Sequence, residues 1–125
     1  MPGAWPRLLA AAGLALLLGL SPRPASAHAT ILSSTPRAGE TLRTAPGVVV
    51  LTFSQRLDIR LSRATVSAPG GQRFDQGSVS SSEIRVPIST NAPGVYQVRW
   101  TSVSVADGHT LSGGFRFGVN VSPDG

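Results

Sequence analysis

The chain contains no cysteine and, apart from Met1, no methionine. The first absence excludes disulfides, thiolate metal sites and thiol nucleophiles. The second leaves no thioether ligand beyond residue 1. Lysine is missing as well, so all 11 basic side chains are arginines. Only two histidines are present, His28 and His109. Missing cysteine does not exclude export, because a domain with an adequate apolar core needs no bridges. After Leu20 there is no second long apolar run. What remains is a chain of 125 residues, a length that suits one domain.

The N-terminus has the three parts of a secretory signal. Met1 to Arg7 carries one positive charge. The run LLAAAGLALLLGL, Leu8 to Leu20, is apolar throughout but shorter than the roughly 20 residues a membrane span needs. SPRPASA follows, with Pro22 and Pro24 opposing a helix and small residues at Ala25 and Ala27. Residues 1–27 are therefore expected to be a signal peptide, with cleavage after Ala27. Residues 28–125 are expected to be the mature domain, periplasmic or secreted, with no membrane span. Without Arg7 and Arg23 the net charge falls from +5 to +3. The nine remaining arginines are scattered singly, without the clustering and interleaved aromatics of a nucleic-acid binder. They read as a solvated basic surface with no nucleic-acid partner.

Period-two alternation dominates residues 28–125. VVVLTF places Val49, Leu51 and Phe53 on one side of a strand; EIRVPI does the same with Ile84, Val86 and Ile88. VYQVRWT alternates Tyr96, Val98 and Trp100 with Gln97 and Arg99. GFRFGV alternates Phe115, Phe117 and Val119 with Arg116. ATILSS and RATVSA carry weaker versions of the pattern. TPRAGE, TAPG, APGGQ and NAPG mark reversals. Six or seven short strands without a helical period imply an all-β fold, a Greek-key antiparallel β-sandwich or barrel. Pro87 suggests an edge strand or a bulge, and Gly113–Gly114 a bulge entering the last strand.

Chemistry has few places to sit. In VADGHT, Asp107 and His109 are two residues apart, a spacing that puts both side chains on one face of an extended segment. Asp-Gly is also common in plain turns. His28 changes the reading. Cleavage after Ala27 makes it the first residue, with a free α-amine whose ordinary pKa is about 7.7–8.0. Amine and imidazole can then chelate one ion, releasing protons as they bind. With the His109 imidazole and an Asp107 carboxylate, the set His28, Asp107, His109 is nitrogen-rich and free of sulfur. That donor set favours one Cu(II) ion over the tetrahedral preference of zinc.

HATILSSTPRAGETL, PGVVVLTFSQRL and GVYQVRWTSVSVADGHTLSGGFRFGV together resemble the CopC family of periplasmic copper-binding proteins, over His28 to about Val121. The resemblance implies a Greek-key sandwich, cupredoxin-like or immunoglobulin-like in outline. It also implies a histidine-brace Cu(II) site: amine and ring from His28, a ring from His109, a carboxylate from Asp107. Many members add a methionine-rich Cu(I) loop, which this sequence lacks. The family often works beside a CopD-like membrane copper transporter. The function implied is an exported Cu(II) carrier or buffer in copper homeostasis or resistance, not an enzyme. Two other readings compete. A histidine-brace copper monooxygenase would need an open copper position and a broad docking face. A metal-free immunoglobulin-like adhesion module would leave both histidines incidental.

Overall fold

A computed structural model describes residues 30–124. Nine strands follow in order: β1 (Ile31–Thr35), β2 (Thr41–Leu42), β3 (Val48–Phe53), β4 (Arg63–Ser67), β5 (Arg73–Asp75), β6 (Ser78–Val79), β7 (Glu83–Pro87), β8 (Gly94–Val103) and β9 (Thr110–Val119). They form a four-stranded sheet, β1-β3-β7-β6, and a five-stranded sheet, β2-β9-β8-β4-β5. The chain crosses between sheets after β1, β2, β3, β5 and β7. This is the immunoglobulin-like strand order, in which the first strand is split between the two sheets. Pairing is antiparallel except where the short β2 joins β9 in parallel, Thr41 opposite Gly118.

The alternating apolar positions meet between the sheets. Val49, Leu51 and Phe53 of β3 and Ile84 and Val86 of β7 close one side of the core. Ala64, Val66, Tyr96, Val98, Phe117 and Val119 close the other. Tyr96 and Phe117 are directly opposed across β8 and β9. Their rings stack with centroids 4.9 Å apart and planes 12° from parallel, an arrangement worth about 0.5–1.5 kcal/mol beyond area burial. The Tyr96 hydroxyl donates to the Ala92 carbonyl at 2.7 Å. This is a tyrosine corner, which pins the chain as it enters β8. Burial raises the Tyr96 phenol above its ordinary value of 10.0, partly offset by a hydrogen bond with Thr90.

Two expectations are corrected. The β8–β9 ladder runs in unbroken register through Trp100↔Gly113 and Arg99↔Gly114, so the glycine pair makes no bulge. Gly113 instead leaves room for a ring: a Cβ there would collide with Cη2 and Cζ2 of Trp100 and lie 3.0 Å from Cε2. Pro87 is not on an edge strand either, since β7 lies between β3 and β6. It is tolerated because it is the last residue of β7. Gly77 donates to the Arg85 carbonyl at 2.8 Å, and the next position facing that side, Pro87, lies past the end of β6.

Strand direction fixes the poles of the sandwich. β8 ends and β9 begins at the same pole, where Val103 pairs with Thr110. β9 ends at the opposite pole, where Val119 pairs with Gly94. β1 begins beside the end of β3, with Ile31 opposite Phe53.

Candidate metal site

The segment joining β8 to β9 is closed by its own backbone. The Ser104 N–H donates to the His109 carbonyl at 3.1 Å, and the Gly108 N–H donates to the Ser104 carbonyl at 2.8 Å. Gly108 sits at φ 69°, a left-handed conformation that glycine adopts without steric cost. Ser104 is buried, and its hydroxyl accepts from the Ala106 N–H at 3.2 Å. The turn bends Asp107 back on itself: Oδ1 accepts the His109 N–H at 3.0 Å. Its other oxygen, Oδ2, is 3.4 Å from His109 Nδ1. The imidazole stays 64% exposed while the carboxylate is 24% exposed. The two residues singled out in the sequence are thus neighbours, with the carboxylate on the Nδ1 side of the ring.

A second loop supports this one. Residues 54–62, between β3 and β4, run alongside: the Val105 N–H donates to the Arg56 carbonyl at 2.9 Å, and the Asp58 N–H to the Val103 carbonyl at 2.8 Å. Leu57, buried in the core, bridges to Ser104. The same loop holds the first described residue. Thr30 donates from its N–H to the Ser54 hydroxyl at 3.0 Å and accepts the Ser54 N–H at 2.7 Å. The entry to β1 and the Asp107–His109 turn are therefore tied to one loop at one pole. Sequence periodicity carries no sign of these ties, because they join loops far apart in the chain. The one local signal was the buried pair Ser102 and Ser104 within SVSVADGH.

Asp107 and His109 fit a copper ion in donor type, one imidazole nitrogen with a carboxylate, but they are two donors. Among the described residues no group of three His, Cys, Asp or Glu side chains could hold a metal. His28 and the Ala27–His28 bond lie outside the described residues. Those residues also include no helix long and apolar enough to cross a membrane.

A two-sheet sandwich with an Asp-Gly-His turn at one pole places the molecule among metal-binding β-sandwich proteins. Comparison with known proteins narrows that class. The CopC domain model matches residues 31–120. The copper transport protein CutJ of Bacillus subtilis (strain 168) is 30% identical over 118 residues, 90% of this chain and 22% of CutJ. Protein YobA of Escherichia coli (strain K12) is 29% identical over 99 residues, 74% of this chain and 79% of YobA. Among solved structures, CopC from Methylosinus trichosporium OB3b superposes with a TM-score of 0.66 at 22% identity, covering 74% of this chain and 93% of that one. PcoC, a methionine-rich copper resistance protein from Escherichia coli, gives 0.59 at 24% identity, covering 74% and 98%. Both share the sandwich fold.

The chain belongs to the CopC family. It spans about a fifth of the length of CutJ. Membership ties it to copper, as a binding protein and not an enzyme. The monooxygenase and adhesion readings are thereby set aside.

Proposed function

We propose that the protein is an exported Cu(II) carrier or buffer, and that it binds one ion through His28, Asp107 and His109. Cleavage after Ala27 creates the amine of His28. Amine and imidazole of that residue chelate the ion, His109 adds a second imidazole, and Asp107 adds a carboxylate oxygen. Its place of action is the periplasm or the space outside the cell, and a CopD-like membrane transporter is the natural recipient of the metal.

The observation that carries this reading is the anchoring of Thr30 to Ser54. His28 precedes Thr30 by two residues, a reach of roughly 7 Å for an extended chain. The anchor lies on the loop that is hydrogen-bonded to the Asp107–His109 turn. Three donors separated by about 80 residues can meet only in the fold, so copper stabilises the folded state by mass action. Tyr96, the one tyrosine of the chain, is buried, so no phenol is offered to the metal.

Mass spectrometry of the secreted N-terminus with Cu(II) titration by isothermal calorimetry tests the proposal. The expected product starts at His28 and binds one equivalent. Adding one Gly before His28 converts its amine to an amide and is expected to weaken binding by more than tenfold. A product starting at Ala29, or equal affinity with the added Gly, refutes it.

A further inference from the structure

The arginines that look scattered in the sequence converge in the fold. Outward positions of the five-stranded sheet alternate with the buried ones: Arg63, Thr65 and Ser67 on β4, Arg73 and Asp75 on β5, Gln97, Arg99 and Thr101 on β8, Ser112, Gly114 and Arg116 on β9. The register sets them in rows. Arg73, Ser67, Gln97 and Arg116 form one row across four strands. Thr65 and Arg99 share the next row, Arg63 and Thr101 the one beyond. At about 4.8 Å between strands, the arginines at the ends of the first row stand roughly 14 Å apart. The only carboxylate on this face is Asp75, 3.4 Å from Arg73. Among the described residues no carboxylate pairs with Arg63, Arg99 or Arg116. Arg63, Arg73 and Arg99 border a shallow depression of about 170 Å³ floored by Ala64, Thr65, Trp100 and Thr101.

We propose that this face is a docking surface for the phosphate headgroups of an anionic lipid bilayer. A planar array of guanidinium groups matches a planar array of phosphates, and each fork can take two oxygens of one phosphate. The face has no exposed aromatic ring on which nucleic-acid bases could stack. It also lacks the apolar centre that a protein interface carries. Apolar groups stand at its margin instead: Ile59 and Leu61, 61% and 56% exposed, precede Arg63 by four and two residues. Their turn is rigid, because Asp58 Oδ1 accepts the N–H groups of Arg60 and Leu61 at 3.0 and 3.2 Å. Apolar tips beside an arginine array are what the boundary between headgroups and acyl chains accommodates. A second copy of the chain is a poor occupant, since its own arginines would face these. This inference stands apart from the copper reading.

The test is vesicle sedimentation of the exported protein, purified after expression of the full chain. Vesicles of phosphatidylcholine alone are compared with vesicles containing one quarter phosphatidylglycerol, in about 50 mM NaCl. Binding is expected only to the anionic vesicles, and about 0.5 M NaCl should abolish it. Arg99→Gln, Arg63→Gln and Arg116→Gln should each weaken partition about fivefold, the equivalent of about 1 kcal/mol per charge near the surface. Arg85→Gln is the control: it removes one charge from the opposite sheet, where Arg85 pairs with Glu83 at 2.6 Å, and should leave partition unchanged. Added inorganic phosphate at 1 mM should not compete. Absence of binding, equal binding to both vesicles, or equal weakening by Arg85→Gln and Arg99→Gln overturns the proposal. So does tighter binding to a 20-base-pair DNA duplex or to polyglutamate than to the anionic vesicles.

Discussion

Adding a single methyl group at Gly113 tests how the second half of the sandwich is assembled. Gly113 faces Trp100 directly across the β8–β9 ladder. The indole lies over it, and on its inner side meets Phe53 edge-on, centroids 6.3 Å apart and planes 65° to each other. A Cβ at 113 would overlap two ring atoms and lie 3.0 Å from a third. Carbon contacts are comfortable at about 3.5–4.0 Å, so the ring must withdraw by roughly 1 Å. It can withdraw only toward Phe53, which is itself buried. Overpacking of this kind costs about 1–3 kcal/mol. Alanine recovers about 0.5–1 kcal/mol by restricting the unfolded chain. Gly113→Ala is therefore expected to cost about 1–2 kcal/mol net, lowering Tm by roughly 4–15 °C for a domain of this size. Thermal melts followed by tryptophan fluorescence measure it, since Trp100 is the one tryptophan after Trp5. The decisive comparison uses Trp100→Leu as background. With the ring gone, Gly113→Ala should be neutral or slightly stabilising, a coupling of about 1–3 kcal/mol between the two sites. Equal cost in both backgrounds, or a single variant within about 0.5 kcal/mol of the parent, refutes the argument.

Other predictions follow from the same geometry. Tyr96→Phe removes the corner hydrogen bond and should cost about 0.5–1.5 kcal/mol at neutral pH by urea titration. The fold holds the Tyr96 phenol above its ordinary 10.0, so its neutral form is favoured and stability should fall once pH exceeds about 10. That alkaline loss should be absent in Tyr96→Phe, and its persistence there would count against the assignment. His109→Ala should weaken Cu(II) binding by more than tenfold while leaving the apo-protein's melting temperature within about 2 °C, because the ring is exposed and its backbone supplies the turn. A large loss of apo stability would show the residue to be structural. Asp58→Ala strips the acceptor from two N–H groups and should lower stability by about 0.5–2 kcal/mol; a neutral result would mean that solvent replaces the carboxylate there.

The strong strands were legible because one face of each is buried, which forces a period of two. β3, β7, β8 and β9 lie where Val49, Ile84, Tyr96 and Phe117 predict them. RATVSA, a weak pattern, proves to be β4. The very short β2, β5 and β6 left no pattern, since two or three residues cannot show a period. The roles of Gly113 and Pro87 were misread because each depends on what lies across the ladder, a neighbour that the local sequence does not name. The same blindness hid the arginine face, whose members come from four strands. At the candidate site, Asp107 and His109 were found from their spacing and are brought together. Their supports, the Thr30–Ser54 and Val105–Arg56 bonds, are invisible in sequence, because loop pairing leaves no composition signal.

The run of β9 separates the metal-facing pole from the end of the chain. Ten residues at about 3.3 Å each put roughly 33 Å between the Thr110 end and the Val119 end. Whatever is joined after Asp124, an affinity tag, a surface linker or a further domain, departs from the pole remote from Asp107 and His109. Immobilised by that end, the protein would hold its copper-facing loops up into solution, clear of the support, and binding measured on a sensor surface should match binding measured free in solution. Attachment through the other terminus would place the support next to Thr30 and the turn it flanks.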